Sequence, residues 1–220
     1  TAPSAPATVS DGTGADISVS TSTTSISSNW SQSTDTGSGV RRYWYSIGTT
    51  AGASDVVSWT DNSTATGTSV AGTYPHGTTY YFNVKTENNA GLFSGVVSSN
   101  GQTIDVQTPN QSLWTPATGS YATATAVTVY FTTNETADCK WSLTNQGYSA
   151  MAGDCTGDGT TSQTCPATGL PDGATDTVYI ACRDSYGNAD TGNVSGAYKI
   201  DTTAPSAPAT VSDGTGADIS

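Results

Sequence analysis

Residues 77–91 read Gly-Thr-Thr-Tyr-Tyr-Phe-Asn-Val-Lys-Thr-Glu-Asn-Asn-Ala-Gly. Tyr80, Phe82 and Val84 fall two residues apart, so an extended chain puts them on one face and Tyr81, Asn83 and Lys85 on the other. Aromatic and β-branched residues suit a pleated surface with one side in a core. Asn88-Asn-Ala-Gly91 closes the run with residues that favour turns. The same period of two recurs upstream. Ile26 and Trp30 share a face of Thr24-Ser-Ile-Ser-Ser-Asn-Trp30. After a turn at Asp35 to Gly39, Tyr43, Tyr45 and Ile47 share a face of Val40-Arg-Arg-Tyr-Trp-Tyr-Ser-Ile47, and Val56-Val-Ser-Trp59 follows Gly48. Trp44 is out of phase with Tyr43 and Tyr45 and should point away from the core. Short alternating strands split by turn clusters indicate a β-sandwich.

The pattern resumes further on. Val127, Val129 and Phe131 alternate on one predicted strand, and Cys139 and Trp141 share a face of the next, Ala137-Asp-Cys-Lys-Trp-Ser-Leu143. Val178, Ile180 and Cys182 are in phase before the turn Asp184-Ser-Tyr-Gly-Asn188, and Ser195-Gly-Ala-Tyr-Lys-Ile200 reads as a last strand. Cys155 and Cys165 bracket a Gly-rich stretch, Thr156 to Thr164, read as a loop. Hydrophobic residues make up 34% of the 220, enough for thin cores. Charged residues are 11%, about half the usual share, and no window carries a helical apolar period. The fold class expected is all-β: two immunoglobulin-like β-sandwich domains in tandem.

The chain repeats itself. Thr1 to Ser18, TAPSAPATVSDGTGADIS, recurs letter for letter as Thr203 to Ser220, an offset of 202 residues. No local constraint demands eighteen successive identities, so a tandem array is expected, of which the chain shows one unit and the start of the next. Asp201-Thr-Thr-Ala-Pro-Ser-Ala-Pro208 reads as a joint held extended by Pro205 and Pro208, with a second joint near Asp105-Val-Gln-Thr-Pro109. The expected division is therefore 1–105, 106–202 and, as the opening of the next repeat, 203–220. The sequence begins in mid-repeat, so the lack of a leader at Thr1 carries no information on export.

Trp30, the Tyr43/Tyr45 strand and residues 77–91 resemble a fibronectin type III domain over about residues 3–105. The phrases SGVRRYWYSIGTTAG and SVAGTYPHGTTYYFNVKTENNAGLFS are similar to versions in large bacterial surface proteins. The resemblance implies that the Tyr80 hydroxyl bonds back to nearby backbone. From Cys139 to Asn188 the pattern Cys-x-Trp, Gly-Leu-x-Asp-Gly, Cys-x-Asp-x-x-Gly-Asn resembles immunoglobulin-like domains of bacterial surface and secreted proteins. Both resemblances speak to fold more than to function.

All four cysteines, Cys139, Cys155, Cys165 and Cys182, lie in the second half. An even count in a thin Ser/Thr-rich domain points to disulfides and an oxidising compartment, secreted or at the cell surface. Four cysteines allow three pairings. The one expected is Cys139–Cys182, on strands that should be neighbours, with Cys155–Cys165 across the Gly-rich stretch. Zinc would need closely spaced Cys or nearby His, and the single His, His76, is in the other half. That His, at Pro75-His76-Gly77, reads as a turn residue, so no Ser-His-Asp arrangement forms. The two Glu, Glu87 and Glu135, do not suggest a carboxylate pair across a cleft. The expectation is that the chain is not an enzyme.

Eighteen acidic against six basic residues give a net charge of −12, and Arg41-Arg42 is the only basic pair, so no nucleic-acid partner is expected. No apolar run approaches the roughly 20 residues that span a bilayer as a helix. Calcium is the one cofactor suggested, because Asp105 and Asp201 sit at the joints and Asp11 and Asp16 follow one. Asn29, Asn62, Asn110, Asn134 and Asn193 head N-glycosylation triplets. Lys85 and Lys199 lie out of phase with their core neighbours, against a covalent Lys–Asn staple. The function expected is the repeat of an extracellular or cell-surface fibre, stalk or adhesin whose partners are neighbouring copies of itself, head to tail, at about 70–80 Å per repeat if the sandwiches stack. The alternative is a carbohydrate-binding accessory module of a secreted glycan-active enzyme, with surface glycans as partners.

Overall fold

The computed structural model describes residues 1–209, so most of the second copy of the repeated peptide, residues 210–220, lies outside the described residues. Two compact units divide the chain, Thr1–Gln107 and Thr108–Ser220. Each is all-β. Among the described residues the one helical element is a single 3₁₀ turn, Tyr148–Ala150, and no helix is long and apolar enough to cross a membrane.

The first unit contains β1 (Val9–Asp11), β2 (Val19–Ser20), β3 (Ser25–Trp30), β4 (Val40–Gly48), β5 (Val57–Asp61), β6 (Gly67–Ala71), β7 (Thr79–Asn88), β8 (Val97–Ser98) and β9 (Gln102–Ile104). One sheet has the order β1-β3-β6, the other β2-β9-β7-β4-β5 with β8 against β7. The period of two does what it predicts. Ile26 and Trp30 from β3 meet Tyr43, Tyr45 and Ile47 from β4 and Tyr80, Phe82 and Val84 from β7 in one buried cluster. Trp30 meets Tyr43 edge-on, with centroids 5.9 Å apart, the geometry that ring quadrupoles favour. One detail differs from the expectation. The hydroxyl that reaches back to backbone belongs to Tyr74, which donates to Val70 O at 3.2 Å. Tyr80 instead packs its ring edge-on against Tyr74, centroids 5.1 Å apart.

The second unit contains β10 (Gln111–Thr115), β11 (Tyr121–Ala122), β12 (Ala126–Ser142), β13 (Gly153–Asp154), β14 (Thr160–Thr168), β15 (Thr175–Arg183) and β16 (Val194–Ile200). Here two readings need correction. The strands predicted at 126–131 and 137–143 are one 17-residue strand, β12. Its first half pairs with β14 and β10, its second with β15 and β13. Between Thr132 and Ala137 the register shifts, so a bulge carries the strand from one layer to the other. Asn134 does not turn there, because its N–H bonds to Asn110 O. The stretch read as a loop between Cys155 and Cys165 holds most of β14. That strand hides Gln163, Cys165 and Ala167 and exposes Pro166, a pattern without bulky apolar residues. Its ladder is with β12, and among the described residues its other edge carries only a bridge from Thr164 to Thr156, so Pro166 lies on an edge, where a strand proline is tolerated.

Two disulfides stand in this core, Cys139–Cys182 and Cys155–Cys165. The first joins directly opposed residues of β12 and β15. The second ties β14 to the chain just after β13, and so links the two layers. Val129, Val178, Ile180, Tyr198 and Ile200 pack around them. Such bonds belong to an oxidising compartment.

Candidate functional site: the seat of residues 1–18

The repeated peptide is the least ordinary feature of the sequence, so its place in the fold matters most. On the first unit, residues 1–18 lie along the edge of the three-stranded sheet. β1 pairs antiparallel with β3 through Val9 with Trp30, Ser10 with Asn29 and Asp11 with Ser28. Pro3, Pro6 and Val9 are buried, so the rigid Ala-Pro steps of the peptide serve as apolar plugs as well as spacers. Ser4 exchanges bonds with Thr34, its N–H to Thr34 O at 2.8 Å and Thr34 N to its Oγ at 2.8 Å. Ser31 Oγ accepts from both Ala7 N (2.7 Å) and Thr8 N (3.0 Å). Gly12, at φ +88°, turns the chain so that the Asn29 side chain donates to Gly12 O and Gly14 O, at 3.0 and 2.9 Å.

Asp11 anchors the segment. It is fully buried. Gly101 N donates to Oδ2 and Gln102 Nε2 to Oδ1, each at 3.0 Å. A Cβ on Gly101, at φ +96°, would meet the Tyr81 ring at 2.7 Å, so a glycine is required where its N–H must face the carboxylate. Burial outweighs these bonds and pushes the Asp11 carboxyl up to about 6, with the Asp16 charge adding to the rise. Asp16 accepts from Asp11 N at 2.8 Å and from Asn100 Nδ2 at 2.8 Å.

The residues assigned from sequence to a cation thus fall into distinct settings. Asp11 and Asp16 come together, and their carboxylates are engaged by protein N–H groups. Asp105 accepts from Gln107 N at 3.2 Å and lies 3.4 Å from His76 Nδ1. Asp201 accepts from Thr203 N at 3.1 Å and donates its own N–H to Ala122 O. Of the five triplet asparagines, Asn29, Asn62 and Asn193 spend their amide nitrogens within the protein, Asn62 on Ala65 O and Asn193 on Asn145 Oδ1. Asn110 and Asn134 have exposed side chains. Sequence reasoning missed Ser31, Asn100 and Gln102, polar residues in no periodic pattern. The identity of 1–18 with 203–220 was the available signal that something must hold that peptide.

The outer face of β4, β5 and β7 carries the other candidate. Trp44 points away from the core, donates Nε1–H to Glu87 at 2.7 Å and lies beneath the Arg42 guanidinium. Lys85 Nζ sits 4.1 Å from the Trp59 ring centroid and 4.8 Å from that of Phe93. These rings carry the chain's own cations. In the second unit a cleft of about 430 Å³ is lined by Thr136, Asp138, Arg183, Asp184 and Tyr186. Asp138 is paired with Arg183 at 3.1 Å and with the Tyr148 hydroxyl, and Asp184 accepts from Tyr186 N and Asn188 N. Burial, with the Asp138 bond and charge, pushes the Tyr148 phenol up to about 12. That network braces the cleft and leaves its carboxylates occupied.

No protein-family model matches the sequence, and no curated protein is significantly similar to it. Among solved structures the chain is similar to the fibronectin(III)-like modules of Clostridium thermocellum CbhA, at 11% identity and a TM-score of 0.41, over 88% of this chain and 94% of that one. It is similar also to the FN1–FN3 domains of chicken CNTN1, at 13% identity and a TM-score of 0.35, over 93% of this chain and 69% of that one. The chain's own sheets carry the conclusion on fold: two all-β units, each a sandwich of the immunoglobulin-like kind.

Proposed function

We propose that the chain is a structural repeat of an extracellular or cell-surface fibre, stalk or adhesin, in which copies follow one another head to tail and no catalysis occurs. The observation that carries this reading is the double fate of one peptide. At 1–7 its prolines are buried in a sandwich, whereas at 203–209 the same seven residues are exposed throughout. Pro3 and Pro6 are buried where Ser4 bonds Thr34 and Ala7 bonds Ser31, in β3's following loop, and Pro205 and Pro208 are the same residues one 202-residue unit later. A next copy of the first unit supplies an equivalent surface at the right place in the chain. The root of the exposed segment is fixed, with Thr202 N and Thr203 Oγ1 bonded to the Asp172 carboxylate at 2.8 and 3.3 Å. The disulfides support an oxidising, extracellular setting.

The test is electron microscopy of polypeptides carrying two, four and eight copies of the 202-residue unit. Contour length should grow by a constant step per copy, about 70–80 Å for stacked sandwiches. Particles that stay compact as copies are added would end the fibre reading. The second reading, an accessory module that binds carbohydrate, draws on Trp44, Trp59 and Phe93 on one outer face. A glycan array with the single unit separates the two, since the fibre reading expects no glycan above background.

A further inference from the structure

We propose that the seat of residues 1–18 is exchangeable between molecules, so that residues 203–220 of one copy can replace residues 1–18 on the first unit of another. This rests on reading 203–220 as a second copy of the seated peptide, and it adds a way for separate chains to join where a seat has lost its own 1–18. Every group that 1–18 contributes to its seat is repeated at 203–220 because the sequences are identical. The plugs Pro3, Pro6 and Val9 have counterparts in Pro205, Pro208 and Val211, and the anchors Ser4, Asp11 and Asp16 in Ser206, Asp213 and Asp218. The seat itself is built from residues that occur once: Thr34, Ser31 and Asn29 along β3 and its following loop, Asn100 and Gly101 before β9, and Gln102 within it.

The position of β1 permits exchange. It is an edge strand with a ladder of three residue pairs, so its departure interrupts no central pairing. An emptied edge presents unpaired backbone groups and a bare apolar strip, a template for strand addition. It also takes from the Gly101 N–H and the Ser31 hydroxyl the partners that 1–18 supplies, and from the Gln102 amide one of two, since Nε2 keeps its bond to Ser27 O at 2.9 Å. Only a peptide that supplies a carboxylate at the Asp11 position and apolar plugs at the Pro3 and Pro6 positions satisfies all of them. In the intact chain the resident peptide competes from a short tether, at an effective concentration in the millimolar range. A donor of identical sequence from another molecule, at micromolar concentration, therefore loses to the resident and takes the seat only once the resident is removed.

The experiment compares the 220-residue chain with a variant lacking residues 1–18, by analytical ultracentrifugation, at pH 7 and micromolar concentration. The intact chain should be monomeric. The shortened chain should form a concentration-dependent ladder of oligomers, and an excess of synthetic TAPSAPATVSDGTGADIS should return it to monomers. The same peptide with D11A should compete about tenfold less well, from the loss of the buried carboxylate's bonds. If the shortened chain loses the fold of its first unit, the synthetic peptide should restore it. A shortened chain that stays monomeric, or stays unfolded, and binds no peptide overturns the proposal. So does competition equally strong with the D11A peptide. Failure here, with contour length still growing in the multi-copy polypeptides, would leave the fibre reading standing and remove exchange alone.

Discussion

The two units make sandwiches of similar size by different means. The first buries Trp30, Tyr43, Tyr45, Tyr74, Tyr80 and Phe82 and has no cysteine; the second buries Phe131, Tyr148 and Tyr198 and has two disulfides. Large rings bring much apolar area per residue, and edge-on contacts such as Trp30 with Tyr43 add specificity. A crosslink works on the other side of the equilibrium, by narrowing the unfolded ensemble. In a chain so rich in Ser, Thr and Gly, each unit needs one of these reinforcements. The first draws on aromatic area, the second on covalent closure.

Reduction should give the largest separation between them. The Cys139–Cys182 bridge closes a loop of 43 residues and Cys155–Cys165 one of 10, which chain-entropy reasoning sets at about 4 and about 3 kcal/mol. Under reductant, hydrogen exchange followed by mass spectrometry should speed up across β12, β14 and β15 by two or more orders of magnitude. Amides of β3, β4 and β7 should be unaffected. Equal acceleration in both units would break the comparison. Next in size is Trp30→Ala. Removing a ring that is 4% exposed should cost about 3–5 kcal/mol, read as faster exchange in β3, β4 and β7 with β12–β16 unchanged.

Much of this division was legible in the sequence, and the reasons differ by residue. The strands of the first unit announce themselves because bulky residues alternate at 26/30, 43/45/47 and 80/82/84, and bulk is what period-two reasoning detects. β14 escaped because its inward residues are Gln163, Cys165 and Ala167, small or polar, with Pro166 among them. Only pairing with β12 makes that stretch a strand. The continuity of β12 escaped because Asn134-Glu135 has the composition of a turn, and whether such a pair turns or bulges depends on Asn110 and Thr161, which are distant in sequence. In the seat, the apolar plugs are readable as prolines of a joint. That they are buried at one end of the chain and exposed at the other follows from which sandwich is beside them.

A smaller effect sharpens the comparison through pH. Asp11 titrates at about 6 in the folded first unit against a usual value of 3.8. A folded-state value raised in this way means that the folded unit binds the proton more tightly. The stabilisation from protonation is complete below about pH 3.8 and is lost as pH rises through about 6. Across that window Asp11 should shift the first unit by about 3 kcal/mol. Asp16 is the charged neighbour that contributes, and Ser99, Gly101 and Gln102 donate from the other side. D11N removes the titrating group. The difference in stability between wild type and D11N should grow in favour of wild type as pH falls from 6.5 to 4. Parallel pH profiles would show that desolvation of Asp11 is offset by its donors.

The smallest expected effect concerns calcium. The acidity of the joint residues suggests a cation at Asp11, Asp16, Asp105 and Asp201, and a calcium site needs six to eight oxygens around one point. The surroundings of Asp11 and Asp16 supply mainly N–H groups: Gly101 N, Gln102 Nε2, Asp11 N and Asn100 Nδ2. Donors of hydrogen bonds repel a cation, and a carboxyl raised to about 6 by burial gains its stabilisation from a proton. Millimolar calcium followed by excess chelator should therefore leave hydrogen exchange in β1, β3 and β9 unchanged. Asp105 and Asp201 are the residues on which calcium could act without displacing the donors of the seat. Protection by calcium that D11N and Asp16→Asn retain, and that Asp105→Asn or Asp201→Asn abolishes, would assign the cation to the joints. Protection lost in D11N would instead mean that the seat itself rearranges to bind it, and the comparison between a proton-stabilised first unit and a covalently closed second would need a third term.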